Sequence, residues 1–228
     1  MGAGHQVGTL REKPLHAALK QWYSHDGDLF EQPVDGFVID IVRAGLLIEI
    51  QTRSFSSMHR KLTRLLEQYE VRVVHPIAVD QWIIKVDEQT GVMSRRMSPK
   101  HGQAVDIFAE LVAFPELVAH PNLTLEVLLV RTEQLRRFDA AKAWRRKGWV
   151  IEENRLIEVV DRVVIESPQA LTRLLPSLPD VFTTADLAAA MHRPRRLAQQ
   201  TTYCLRKINE LEVLGKRGRA LEYRKSHR

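Results

Sequence analysis

Apolar and polar residues alternate in two neighbouring segments of the first quarter of the chain, and this alternation predicts a β-hairpin. The segment Phe37–Arg53 contains two apolar, β-branched runs joined by Ala44-Gly45. A two-residue connection that contains Gly is typical of a hairpin turn. If these two residues form the turn, Asp40 lies opposite Glu49, and the period of two places Gln51 on the same face.

Helical and strand patterns flank this hairpin. Apolar residues at helical spacing predict one helix that begins near Pro14 and a second that begins at Ser54 or Ser56 and ends at Tyr69. Short apolar runs predict further strands over residues 29–34, 71–74 and 81–86. The predicted order is therefore helix, three strands, helix, strand and strand.

The middle of the chain has weaker patterns. We predict a basic loop over residues 94–102 and a helix over residues 104–114. Strands are expected at residues 123–131, 149–151 and 156–165.

After Ser167 the pattern changes to short helices followed by a hairpin. Helices are predicted over residues 169–175 and 185–191, and a longer helix begins at Arg193-Pro194 and ends near Leu211. Two strands follow around the basic turn at residues 216–219. This order is typical of a winged helix-turn-helix. We therefore predict two domains, over residues 1–165 and 166–228.

The positive charge is concentrated in this last segment. The net charge of the chain is +6, yet the residues from Arg193 onward carry eleven Lys or Arg and three Asp or Glu. A basic patch of this kind attracts polyanions and releases counterions when it binds phosphates. DNA is the expected partner, and a solvated basic face or a protein-docking winged helix are the alternatives.

The remaining composition is that of an ordinary globular protein. Hydrophobic residues make up 44% of the 228 residues and charged residues 27%. Neither a membrane-spanning apolar run nor a signal-peptide pattern is found. The single cysteine, Cys204, excludes an intramolecular disulfide and cysteine-rich zinc sites. A cytoplasmic, nucleoid-associated protein is therefore expected.

Three acidic residues stand in the order of a known nuclease motif. Glu12 begins a predicted helix, Asp40 lies on one arm of the hairpin, and the triplet Glu49-Ile50-Gln51 lies on the other. Residues from about 10 to 86 thereby resemble the PD-(D/E)XK nuclease superfamily, whose triplet is (D/E)-x-K. The resemblance implies a restriction-endonuclease-like α/β fold, a mixed sheet flanked by helices, with residues 87–165 as an extension.

The resemblance also implies a metal-dependent active site. Asp40 and Glu49 would hold Mg²⁺ or Mn²⁺, with the backbone carbonyl of Ile50 as a third ligand, and Glu12 would orient a metal-bound water or help to bind a second ion. Enzymes of this fold that cut both DNA strands often act as dimers, so a homodimer is compatible with the resemblance.

Position 51 departs from the family pattern, because it is Gln where the family has Lys. Glutamine can still position a water by hydrogen bonding, so we count Gln51 among the candidate catalytic residues. Lys61, Arg53 or Lys85 could supply the cation that the triplet lacks. A nuclease-like face without activity and a simple solvated pair of acids are the alternatives.

The candidate DNA-binding residues lie on the longer helix and on the turn of the last hairpin. The helix would enter the major groove, and the hairpin would contact the flanking backbone. These candidates are Arg193, Arg195, Arg196, Gln199, Gln200, Thr202, Tyr203, Lys216, Arg217 and Arg219. The expected function is that of a metal-dependent DNA-processing protein, an endonuclease with DNA held by the winged helix. A DNA-binding or regulatory scaffold without catalysis is the alternative.

Overall fold

A computed structural model describes residues 13–87, 91–139 and 148–226. The described residues form a mixed α/β structure with six α-helices and ten strands. The helices are α1 (Pro14–Tyr23), α2 (His59–Leu66), α3 (Phe108–Leu111), α4 (Pro168–Thr172), α5 (Thr184–Met191) and α6 (Arg195–Lys207). The strands are β1 (Leu29–Val34), β2 (Phe37–Arg43), β3 (Leu46–Ile50), β4 (Val71–Asp87), β5 (Gly91–Met97), β6 (Leu123–Phe138), β7 (Trp149–Ile165), β8 (Phe182–Thr183), β9 (Leu211–Arg217) and β10 (Ala220–Lys225).

Seven of the described strands form one large mixed sheet. Its order is β1-β2-β3-β4-β6-β7, and β5 pairs with β4 outside this path. β1, β2 and β3 pair in antiparallel fashion, whereas β3 and β4 are parallel. Parallel neighbours need a crossover connection, and α2 provides it between β3 and β4. The predicted order of helix, three strands, helix and strand is thus confirmed for the first part of the chain.

Pattern and burial explain these elements. Pro14 occupies the first turn of α1, where the missing N–H costs nothing. The apolar stripe of α2 is buried through Leu62, Leu65 and Leu66. The inward-facing residues of the central strands, such as Ile41 and Ile48, are completely buried.

Several predicted boundaries in the middle of the chain are wrong. β4, β6 and β7 are single long strands where shorter pieces were predicted, and residues 91–97 form β5 instead of a loop. β5 is exposed along its whole length, so its sequence shows no apolar alternation, and pairing with β4 alone defines it. The helix predicted over residues 104–114 is a 3₁₀ turn over Ala104–Ile107 followed by the four-residue α3.

The C-terminal elements follow the predicted order. α4, α5 and α6 precede the β9–β10 hairpin, which joins β8 in a second sheet of order β8-β10-β9. Thr183 caps α5 through a capping box with Asp186. His192 takes a left-handed conformation (φ 51°) that ends α5 just before α6 begins. Cys204 is buried in α6, as a small apolar residue would be.

The described residues group into two compact units. The first comprises the described residues up to Asp26, together with Ala78–Gly102 and Leu129–Asp161. The second comprises Gly27–Ile77, Gln103–Leu128 and the described residues from Arg162 onward. The predicted division into domains between residues 165 and 166 stays a prediction. None of the described helices is long and apolar enough to cross a membrane.

Candidate functional site

The predicted hairpin forms with the predicted register. Ala44 and Gly45 both have positive φ, 48° and 89°, as a type I′ turn requires. Arg43 pairs with Leu46, and the ladder continues through Ile41 and Ile48. The next residues outward are Asp40 and Glu49, so the two acids occupy opposite positions on neighbouring strands of the second unit.

Hydrogen bonds hold the two carboxylates at the open end of this hairpin. Asp40 Oδ2 accepts the backbone N–H of Ile50 at 2.8 Å. The backbone N–H of Asp40 donates in turn to the carboxyl group of Glu49. Asp40 is partly exposed, whereas Glu49 is only 8% exposed. The pair therefore combines one accessible acid with one buried acid.

Lys61 brings a cation to this pair from α2. Its Nζ lies 2.5 Å from Glu49 Oε1 and donates to the carbonyl oxygen of Val38 at 2.7 Å. Of the three cations that could replace the missing triplet lysine, Lys61 is the one with a contact to the acids in the described part of the chain. Arg53 is exposed, and Lys85 stacks over the ring of Trp149 in the first unit.

Glu49 has an unusual protonation equilibrium. Burial is the main cause that raises its pKa to about 7; the neighbouring Lys61 acts in the opposite direction, and the charge of Asp40 acts in the same direction as burial. A carboxyl group with this pKa is partly protonated at neutral pH. Such perturbation by burial together with a specific like-charged neighbour is frequent in functional sites.

Gln51 is engaged in the loop that follows β3. Its side-chain amide donates to the carbonyl oxygen of Ser54 at 2.8 Å. Its own carbonyl oxygen lies 2.6 Å from Nδ1 of His75, a half-buried histidine packed edge-on against Phe55. These bonds assign Gln51 a structural role in the turn before α2, and its predicted catalytic role stays a prediction.

The described residues contain few further candidates for ligands of a metal ion at this position. Glu12 lies outside the described residues. The described part of the chain contains no group of three or more His, Cys, Asp or Glu side chains that could hold a metal ion. Asp40 and Glu49 are therefore the two protein carboxylates that the described structure offers to a cation at this position.

A second candidate site lies on α6 and the β9–β10 hairpin, also in the second unit. Arg195, Gln199, Tyr203 and Arg206 recur every three or four residues, so they share one face of α6. Together with Arg219 of the hairpin turn they line a cavity of about 250 Å³. Basic and amide side chains around one groove are suited to phosphate and base contacts.

The cations of this segment divide into paired and unpaired groups. Arg193 contacts Asp106 at 3.0 Å, Arg217 contacts Glu222 at 2.8 Å, and Lys207 contacts Glu116 at 2.8 Å. The other group has no ion-pair partner in the described part of the chain and is exposed. Its members are Arg195, Arg196, Arg206, Lys216, Arg219 and Lys225.

Three of the predicted DNA contacts already have partners within the chain. Arg193 is only 16% exposed at its side chain, because its ion pair with Asp106 anchors the start of α6. Thr202 is 2% exposed, and its hydroxyl donates to the carbonyl oxygen of Gln199, so it cannot reach DNA. Arg217 is exposed but already engaged by acids within its own unit.

Arg206 is the residue of this face that sequence reasoning missed. It lies eleven positions after Arg195, which is three helical turns, so helical spacing alone could have identified it. Gln200 is half-buried, and Gln199 and Tyr203 are exposed. The face of α6 that lines this cavity thus carries two arginines near its ends with an amide and a phenol between them.

The fold and its sites define a mixed α/β protein with a partly buried acid–lysine cluster and a basic helix–hairpin surface. The model of the domain of unknown function DUF8091 matches residues 13–166, and the chain belongs to this family. The chain is also 30% identical over 224 residues to an uncharacterized protein of Treponema pallidum (strain Nichols), with 96% of this chain and 87% of that protein covered. No solved structure matches the chain.

Proposed function

We propose that the protein is a metal-dependent DNA-processing nuclease that holds DNA through α6 and the β9–β10 hairpin. The observation that carries the proposal is the convergence of Asp40, Glu49 and Lys61 at the end of a hairpin. Two acids and one ammonium group are the chemistry that the PD-(D/E)XK motif supplies from one hairpin. Here α2 provides the ammonium group that the triplet lacks.

The donor set suits a hard divalent cation. Mg²⁺ prefers oxygen ligands and is commonly held by one or two carboxylates, with water and substrate oxygens completing its shell. Asp40 and Glu49 would provide the carboxylates, and the carbonyl oxygen of Ile50 is the proposed third ligand. The raised pKa of Glu49 fits such a site, since a nearby cation would favour its ionised form. When bound, the cation would acidify a water molecule and neutralise charge on a phosphodiester.

Lys61 would contribute electrostatic stabilisation next to the phosphate. Its ammonium group is already held in place by Glu49 and by the carbonyl oxygen of Val38, so it needs no rearrangement of α2. A pre-oriented cation is most effective in a partly dehydrated site of this kind. Lys61 therefore replaces Gln51 as the proposed partner of the two acids.

The unpaired arginines support DNA as the substrate. The order of α5, α6 and the β9–β10 hairpin is compatible with a helix-turn-helix, in which the hairpin would act as the wing. Arg195, Arg206 and Arg219 are exposed and would neutralise phosphates, while Gln199 and Tyr203 between them could contact bases or sugars.

The cleavage test uses duplex and single-stranded DNA with Mg²⁺ or Mn²⁺. We expect the wild-type protein to cut, and Asp40→Asn, Glu49→Gln and Lys61→Met to lose at least about 100-fold in rate, as removal of a group that stabilises the transition state does. Arg60→Met is the matched control, because Arg60 is an exposed neighbour of Lys61 on α2. A wild-type protein that binds DNA with both metals present and does not cut it would contradict the nuclease proposal.

The binding test compares paired and unpaired arginines. Arg219→Ala should weaken DNA binding and lower the salt slope by about 0.9, the value for one phosphate contact, whereas Arg217→Ala should change it much less. Arg206→Ala, on α6, and Arg193→Ala, just before α6, form a second such comparison, to be made with proteins shown to be folded. Equal losses for both members of each comparison would contradict the assignment of this surface.

A second candidate function is a DNA-binding scaffold without catalysis. The specific observation in its favour is that Lys61 already compensates the charge of Glu49, so the cluster can exist without a metal. In that case Asp40→Asn and Glu49→Gln would leave every DNA transaction unchanged. Binding of DNA through α6 and the wing would remain, and the two proposals are separated by cleavage alone.

A further inference from the structure

We propose that two copies of the chain dimerise by antiparallel pairing of β7. This strand is the last in the sheet order, so in the described part of the chain it has a strand partner on one side, β6. It is 17 residues long and contains neither Gly nor Pro. An edge strand of this length presents a continuous row of backbone donors and acceptors, and proteins rarely leave such an edge uncovered.

The side chains of β7 make the edge more apolar than a solvated strand requires. Ile157, Val160 and Val164 are 47%, 43% and 38% exposed, within a segment rich in β-branched residues. Because side chains alternate along a strand, Ile157 lies on one face, and the two valines lie on the other. Both faces therefore expose apolar surface along the same stretch of the edge, which an added strand would cover.

Charge complementarity identifies the occupant as a second copy of this chain. If Val160 lies opposite Val160 of the second copy, Glu158 lies opposite Arg162 on both sides of the two-fold axis. The same register places Val164 opposite Leu156 of the second copy. A shift of the register by one residue in one direction places Glu158 opposite Asp161. A shift in the other direction places Glu158 and Arg162 opposite valines. Opposite charges and paired apolar residues stabilise cross-strand contacts, and like charges destabilise them.

The two charged residues can take part in this pairing without losing their contacts within the chain. Glu158 contacts Arg131 at 2.7 Å, and its side chain is still 52% exposed. Arg162 lies 3.9 Å from the buried Glu126, and its side chain is 66% exposed. Both side chains therefore extend to solvent, where a second partner can approach. An interface of this kind is isologous, with the same strand used on both subunits.

The first test is the mass of the full-length protein in solution, measured by light scattering or sedimentation. We expect twice the chain mass of 26.2 kDa. Val160→Lys places two ammonium groups face to face and should raise the dimer dissociation constant by about tenfold or more. Val92→Lys is the matched control, because Val92 is 66% exposed on β5, and it should remain dimeric.

A charge exchange tests the register itself. Arg162→Glu and Glu158→Arg should each dissociate, because each creates two like-charged pairs, and an equimolar mixture of the two variants should form a heterodimer with both pairs restored. Circular dichroism melts identify variants that fail to fold. If either charge variant fails to fold, the Val160→Lys variant provides the test. A monomeric wild-type protein, a Val160→Lys variant that stays dimeric, or folded charge variants that do not associate when mixed would overturn the proposal. DNA cleavage is not used as a readout, so the outcome is independent of the proposed nuclease activity.

Discussion

Replacement of Glu49 by Gln should stabilise the folded protein, and more strongly at alkaline than at acidic pH. Burial, with a further contribution from Asp40, raises the pKa of Glu49 from 4.5 to about 7. One pKa unit corresponds to about 1.4 kcal/mol, so the ionised form of Glu49 destabilises the folded state by about 3 kcal/mol relative to the protonated form. Gln has the same shape and no charge to bury.

The direction of the pH dependence follows from which state binds the proton more tightly. Between about pH 4.5 and about pH 7 the folded protein holds the proton on Glu49 and the unfolded chain does not. The contribution of Glu49 to stability is therefore complete below pH 4.5 and is lost as pH rises to about 7. Between pH 5 and pH 8 the advantage of Glu49→Gln over wild type should grow by about 2 kcal/mol.

The assay is denaturant unfolding of both proteins at pH 5 and pH 8 without divalent ions. Glu67→Gln is the control, since Glu67 is an exposed acid in the same unit. A Glu49→Gln variant that differs from wild type by the same free energy at both pH values would refute the argument. In that case Glu49 would be ionised at low cost, and Lys61 would fully compensate its burial.

Further predictions concern stability. Ala44→Asn should raise the free energy of unfolding by about 0.5–1 kcal/mol, because Asn tolerates the positive φ of this turn better than Ala; urea unfolding measures it. Burial lowers the pKa of His75 and opposes its protonation, so the wild-type protein should lose stability as pH falls below about 6.5, and His75→Gln should lose less. Thermal melts of both proteins between pH 5 and pH 7.5 measure this, and an equal loss of stability in both would contradict it. Asp106→Ala should destabilise the protein by about 1–3 kcal/mol by leaving the partly buried Arg193 without its carboxylate, and an unchanged melting curve would contradict this.

Local patterns in the chain were sufficient to predict the hairpin, its register and the order of the surrounding elements. The Ala44-Gly45 turn is encoded by two adjacent residues, and the strands on either side alternate with a period of two. Pairing then follows without any distant contact. The same holds for α5, which Thr183 caps, and for the β9–β10 hairpin, whose turn contains Gly218.

Long-range packing decided what those patterns leave open. Lys61 reaches Glu49 only because α2 crosses between β3 and β4, and its position in the sequence does not distinguish it from Arg53. Arg193 and Arg195 look equivalent in the sequence, yet Asp106 engages one, and the other remains exposed.

The physical reason lies in the range of the interactions. Turns, caps and alternation depend on neighbours within a few residues, whereas the pKa of Glu49 depends on burial and on a cation twelve residues away. The lengths of β4, β6 and β7 likewise depend on pairing between segments distant in sequence, and so does the open edge of β7. Secondary structure could therefore be predicted well near the hairpin, and the chemistry of the site required the folded protein.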